Sequence, residues 1–186
     1  MSRTYTVWHF AGATLRDRSP LPEPGFIAPE IANPVPCKRG YHGSKSIYDA
    51  LQYAAGPNLC QRELDSDALT HGNPVDKLCA SMFMQLTPYT DVSDLLVRFA
   101  RHCALLALRV DAPKALRSVG LNKHADRLAE LPDDCDMLAA GDAARAAAGD
   151  AGAAAGDAAW AAAGDAGAAR RKELETWLLR ALRKDA

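Results

Sequence analysis

The sequence predicts an α+β protein, a small mixed or antiparallel sheet domain followed by a helical region with an Ala/Gly repeat. Three observations point there. Residues 4–10, Thr-Tyr-Thr-Val-Trp-His-Phe, are almost all β-branched or aromatic, as in a strand with a buried face. From residue 91 onward apolar residues recur at spacings of three and four, the helical period. Gly-Asp-Ala then occurs at residues 141, 149, 156 and 164, a true repeat. The organisation expected is a sheet domain over 1–88, a helical connector over 89–138, and repeat helices with an amphipathic terminal helix over 139–186.

Residues 11–37 hold six of the eleven prolines (Pro20, Pro22, Pro24, Pro29, Pro34 and Pro36), which excludes a helix or a central strand. A long loop with short extended pieces follows, of a kind that usually covers or forms a site. Gly40-Tyr41-His42-Gly43-Ser44 reads as a strand end or turn. Residues 45–54 read as a helix, with Ser46 as N-cap, a stripe of Ile47, Ala50, Leu51 and Ala54, and Gly56-Pro57 as its stop. Strands are expected at Asn58–Leu64 and Leu78–Leu86, separated by the polar stretch Asp65–Asp76. Only one of these connections is long enough for a helix, hence the antiparallel or mixed sheet.

Asp91 and Ser93 open a helix whose stripe is Leu95, Leu96, Phe99, Ala100, Cys103, Ala104 and Ala107. Shorter helices are expected near Pro113–Val119 and Asn122–Leu131, the second broken by Pro132. In Lys172–Lys184 the residues Leu174, Trp177, Leu178, Ala181 and Leu182 share one face.

The repeat carries a finer stripe. Gly141, Arg145, Gly149, Gly152, Gly156, Trp160, Gly164 and Gly167 follow one another at a mean interval of about 3.7 residues, which describes a helix and excludes a strand. Each interior Gly costs about 1 kcal/mol relative to Ala, so packing must offset the loss. Two arrangements satisfy the pattern. Either the Gly stripe lies in a close helix–helix contact, which would also serve a homo-oligomer, or the Ala faces are buried and Arg145 and Trp160 stand outside as candidate partner-binding residues.

Charge excludes one function class. The chain has 22 basic and 23 acidic residues, and no block of it concentrates Lys and Arg, so direct nucleic-acid binding is not expected. No apolar run reaches the roughly 18 residues of a membrane span, and the first residues do not read as a signal peptide, so a cytoplasmic protein is expected. Cys37, Cys60, Cys79, Cys103 and Cys135 lack C-x-x-C pairing and read as buried free thiols, with no metal site.

His9 and His42 are the polar residues whose setting most suggests a site, since the long loop between them could bring a ligand to both. A neutral imidazole can orient a ligand or accept a proton near physiological pH, and Ser44, Lys45 and Ser46 supply donors beside a helix start. The plainer reading leaves both histidines as ordinary part-buried residues and Ser46 as a cap.

Trp8-His9-Phe10, Gly40-Tyr41-His42-Gly43-Ser44, Lys45-Ser46 and Tyr53-Ala54 distantly resemble the opening strands and helix of NAD-dependent ADP-ribosyltransferases of the His-Tyr-Glu type. The resemblance covers about 50 residues and implies that His9 would contact the nicotinamide ribose, with Tyr41 or His42 near the stacking position. Candidate catalytic residues are then His9, Tyr41 and His42, with NAD as the cofactor. No later strand supplies the family's Glu, because Glu63 stands in a different context.

Across nearly its whole length the order of Tyr-Thr-Val-Trp-His-Phe, Gly-Tyr-His-Gly-Ser, Asp-Ala-Leu-Gln-Tyr-Ala, Phe-Ala-Arg-His-Cys-Ala and an Ala-rich repeat resembles a family of phage and prophage proteins. That resemblance implies an accessory protein that needs no cofactor and acts in the host cytoplasm by binding a host protein, as a counter-defence, anti-CRISPR-like inhibitor does. A nucleotide- or NAD-binding enzyme is the first alternative and a structural homo-oligomer the second.

Overall fold

The computed structural model describes residues 4–65, 67–135 and 169–184. They form an α+β protein whose strands all pair antiparallel. The chain divides into two compact units, Met1–Leu96 with Glu175–Ala186 and Val97–Leu174. The division falls within a helix.

In the first unit β1 (Tyr5–Ala11) pairs along its full length with β3 (Asn58–Leu64), from Tyr5 opposite Leu64 to Ala11 opposite Asn58. The other edge of β3 is shared by β6 (Phe83–Gln85) and β7 (Thr90–Asp91). A second sheet has the order β2 (Tyr41–Gly43), β5 (Lys77–Ala80), β4 (Leu69–His71). The expected strand over 78–86 is therefore two strands, with Ser81 and Met82 between them, and the polar stretch 65–76 contains β4. Sequence pattern missed β4 because its three residues are too few to alternate.

The two sheets meet at one backbone pair. Trp8 N–H donates to Ser44 O at 2.8 Å and Ser44 N–H to Trp8 O at 3.0 Å. Gly43 permits this approach, because a Cβ there would lie 2.2 Å from Val7 Cγ2. Tyr5, Val7, Leu64 and Phe83 on one sheet then face Tyr41, Leu78 and Ala80 on the other around a shared core.

The proline-rich loop closes that core. Gly25 N–H donates to Gln85 O, Gln85 N–H to Phe26 O, and Ala28 N–H to Phe83 O, so the loop lines the free edge of β6 and places Ala28 in the core. Prolines are tolerated on such an edge, where their missing N–H faces no partner strand. The segment expected as a helix from residue 45 is a short α1 (Ile47–Leu51), capped by Ser46 and lying against β1.

Helix α2 (Ser93–Leu106), whose first residues belong to the first unit, runs into a π-helical turn (Ala107–Asp111), then α3 (Ala112–Ser118) and α4 (Asn122–Ala129) of the second. Leu116, Ala125 and Leu128 form its core, flanked by Ala112, Leu121 and Leu131. Arg109 pairs with Asp133 at 2.6 Å, Arg117 with Asp126 at 2.8 Å, and Arg170 with Asp111 at 2.8 Å. Residues 169–184 are helical, and the expected stripe is observed: Leu174 and Leu178 are buried and Trp177, Ala181 and Leu182 part-buried. No described helix is long and apolar enough to cross a membrane.

Replacing Gly43 with Ala should force Val7 or the Trp8–Ser44 pair to shift, and the expected loss is about 1–3 kcal/mol. Urea unfolding checks it; a midpoint equal to that of the parent would mean that β1 and β2 do not need this closeness.

Candidate functional site

β1 and β2 bring His9 and His42 together, as the loop between them suggested. The His9 ring faces the main-chain carbonyl of His42, and its pKa is lowered to about 3 by burial first and by the nearby Arg62 charge second. His9 is therefore neutral at physiological pH and is not available as an imidazolium acid. His42 is held differently: its Nε2 accepts the Cys37 N–H at 3.1 Å, so in the neutral ring the proton sits on Nδ1. Burial and then Lys77 and Arg16 lower its pKa. With that lone pair engaged, His42 pins the end of the proline-rich loop.

The other expected ligand residues do not converge on the pair. Ser44 is buried in the seam between the sheets. Lys45 places its ammonium 4.6 Å over the Tyr5 ring. Ser46 Oγ accepts the Asp49 N–H at 3.4 Å, the capping role of the plainer reading. Tyr41 neighbours His42 on β2 and so points to the opposite face. Its ring packs on Phe83 at 4.8 Å and its hydroxyl donates to Pro29 O at 2.9 Å. Arg145 and Trp160, and the Ala/Gly repeat with them, lie outside the described residues.

Two clusters that sequence reasoning missed surround the histidines. The first is interior. Arg62 follows Cys60 and precedes Leu64 on the core-facing side of β3, opposite Val7 and Gln85. It is 3% exposed. Its Nε donates to Gln85 Oε1 at 3.1 Å, its Nη2 donates to the Tyr89 hydroxyl, and its guanidinium lies 4.0 Å from the centre of the Phe83 ring. Tyr89 meets His9 edge to face at 6.4 Å, and burial raises its pKa so that the phenol stays protonated. The signal in the sequence was an Arg at a position whose i−2 and i+2 neighbours, Cys60 and Leu64, both read as interior.

The second cluster lies on the outer face of β2-β5-β4. His42, Cys79 and Leu69 share that face through their register, as do Lys77 and His71. Tyr53, just beyond α1, donates to Asp76 Oδ2 at 2.6 Å, while Asp76 Oδ1 is 3.4 Å from His71 Nδ1. The Lys77 ammonium sits 3.6 Å from the Tyr53 ring centre. The bond to the carboxylate pushes Tyr53 up to about 12 and holds Asp76 below its usual range. With both carboxylate oxygens engaged, the cluster ties the β4–β5 turn to the end of α1.

Comparison with protein-family models, with curated proteins and with solved structures found no match.

Among the described residues no group of three or more His, Cys, Asp or Glu side chains could hold a metal ion. The five cysteines form no disulfide, and Cys60 and Cys79 are buried as expected. Cys103 and Cys135 are part-buried, and Cys37 is exposed because it sits in the turn that His42 pins, with φ +64°.

The two lowered histidines make stability pH-dependent. The unfolded chain binds these protons at about pH 6.5, folded His42 at a lower pH and folded His9 only near 3, so the stabilisation is complete above about 6.5 and the His9 part is lost as pH falls toward 3. His9→Gln should flatten that decline between pH 6 and 4 in urea titrations. An unchanged slope would mean that His9 titrates normally.

Proposed function

We propose that the chain acts by binding a partner protein, as a phage-type accessory protein that inhibits a host component, in the manner of a counter-defence inhibitor. One observation supports this reading best. Leu69 and Val75 are 43% and 51% exposed and lie beside His71 and Asp76 along the chain, while Tyr53, 40% exposed, covers the buried Lys77 on the face of the second sheet turned from the shared core. Apolar groups around hydrogen-bonded polar ones form the kind of surface that a protein partner covers. Their polar centre is pinned internally, so it is presented to a partner in one geometry and at little ordering cost.

The NAD-dependent alternative has less support in the geometry. Base or acid work would fall to His9 and His42, and the first is neutral far below physiological pH while the second has its lone pair on the Cys37 N–H. The homo-oligomer alternative rests on the Ala/Gly tract, outside the described residues.

The test is capture from the natural host by the tagged full-length chain, followed by mass spectrometry. A specific host protein should be recovered, and Leu69→Glu with Val75→Glu should weaken its binding at least tenfold, roughly 1.4 kcal/mol, while leaving the melting temperature within about 2 °C of the parent. Folded His9→Gln should bind as the parent does. Recovery of nothing beyond an untagged control, or undiminished recovery by the double variant, would sink the reading.

A further inference from the structure

Arg62 presents a problem that the fold alone does not solve. A guanidinium stays charged at any pH that the fold survives, so a buried Arg is ordinarily matched by a carboxylate. Among the described residues none lies within salt-bridge distance of it. Its partners are a neutral amide, a phenol and the face of Phe83. His9 supplies no negative charge, and it feels Arg62 as a repulsion. Nη1 donates to no described atom. Nη1 is not fully buried, and His9 and Tyr89, whose rings meet edge to face, are both part-buried.

We propose that Arg62 is the floor of a binding site for a small oxyanion, a carboxylate or phosphate group, that enters beside His9 and Tyr89 and takes Nη1 of Arg62 and the hydroxyl of Tyr89 as donors. The fork of the guanidinium suits such a group, and the low dielectric of the site strengthens each charge-assisted bond. Tyr89 accepts from Nη2 and also has a hydrogen bond with Cys60, so its proton has only a weak sulfur acceptor to leave in order to turn toward an anion placed at Nη1. Gln85 fixes the guanidinium from the other side through Nε, and Gln85 is itself fixed by its Nε2 donating to Thr87 O at 2.6 Å. The donors are therefore held in place before any ligand arrives. Nothing in this site depends on the outer face assigned to a protein partner, and it can be tested with no host component present.

The experiment uses the full chain with guanidinium nitrogens labelled for NMR, titrated separately with inorganic phosphate and with acetate at constant ionic strength, and repeated with a nucleoside diphosphate. At least one of the two simple ions should shift the Arg62 signals saturably and raise the melting temperature by roughly 3 °C at ten times its Kd. The nucleotide arm separates sources: tighter binding than by free phosphate indicates a phosphorylated metabolite, and equal or weaker binding indicates a simple anion or carboxylate. Arg62→Met should fold with a melting temperature at or above that of the parent in ion-free buffer, and should lose the response. Tyr89→Phe, which keeps the ring, should weaken binding about tenfold and keeps the test open if the Met variant does not fold. The proposal fails if neither ion moves the Arg62 signals, or if both variants respond as the parent does.

Discussion

The first unit depends on a single close approach. β1 and β2 exchange two backbone hydrogen bonds, at Trp8 and Ser44, and only a residue without a side chain at position 43 allows Val7 to lie beneath them. Through that pair the β1-β3-β6 sheet and the β2-β5-β4 sheet share a core of Val7, Leu64, Leu78, Ala80 and Phe83. The same seam positions His9 against the His42 carbonyl and sends the His42 side chain to the outer face. The interior and surface clusters are thus the two sides of one junction.

Polar residues around this junction divide by what engages them. On the outside, Tyr53, His71 and Asp76 satisfy one another, and Lys77 is held against the Tyr53 ring. That self-sufficiency suits a surface whose task is to be covered. On the inside, Arg62 has good hydrogen-bond partners and no counter-charge. Hydrogen bonds fix its direction, yet they do not offset the loss of hydration of a full charge as a carboxylate would. The outer cluster contains a carboxylate, Asp76, and the inner one contains none, which separates the two sites.

The candidate residues were partly legible. His9 and His42 stood out because a long proline-rich loop joins two strand-like segments that each carry one, and the structure does bring them together. Their hydrogen-bond partners were not legible. Cys37 N–H and the His42 carbonyl are main-chain groups whose positions follow from the turn at 37–40, where Cys37 and Gly40 both have positive φ. A lone Arg in a strand reads as a solvent-facing residue; the apolar i−2 and i+2 neighbours of Arg62 point inward, and register against Val7 and Gln85 places it inside. β4 and the cluster built on it were hidden by brevity and by a polar, Gly- and Pro-containing setting.

What the sequence by itself determined was local. Branched and aromatic residues specified β1, apolar spacing specified α2 and the terminal helix, Ser46 marked a helix start, and six prolines kept 11–37 out of helices and central strands. These follow from backbone sterics and periodicity, which act within a few residues. The tertiary structure alone decided which faces meet. It split the expected strand over 78–86 so that Lys77–Ala80 and Phe83–Gln85 serve different sheets, ran the proline-rich loop along β6, and buried Arg62 without a carboxylate. Those outcomes depend on pairings such as Val7 with Arg62 and Tyr41 with Ala80, far apart in the chain, and no local preference encodes which distant edge a strand will find.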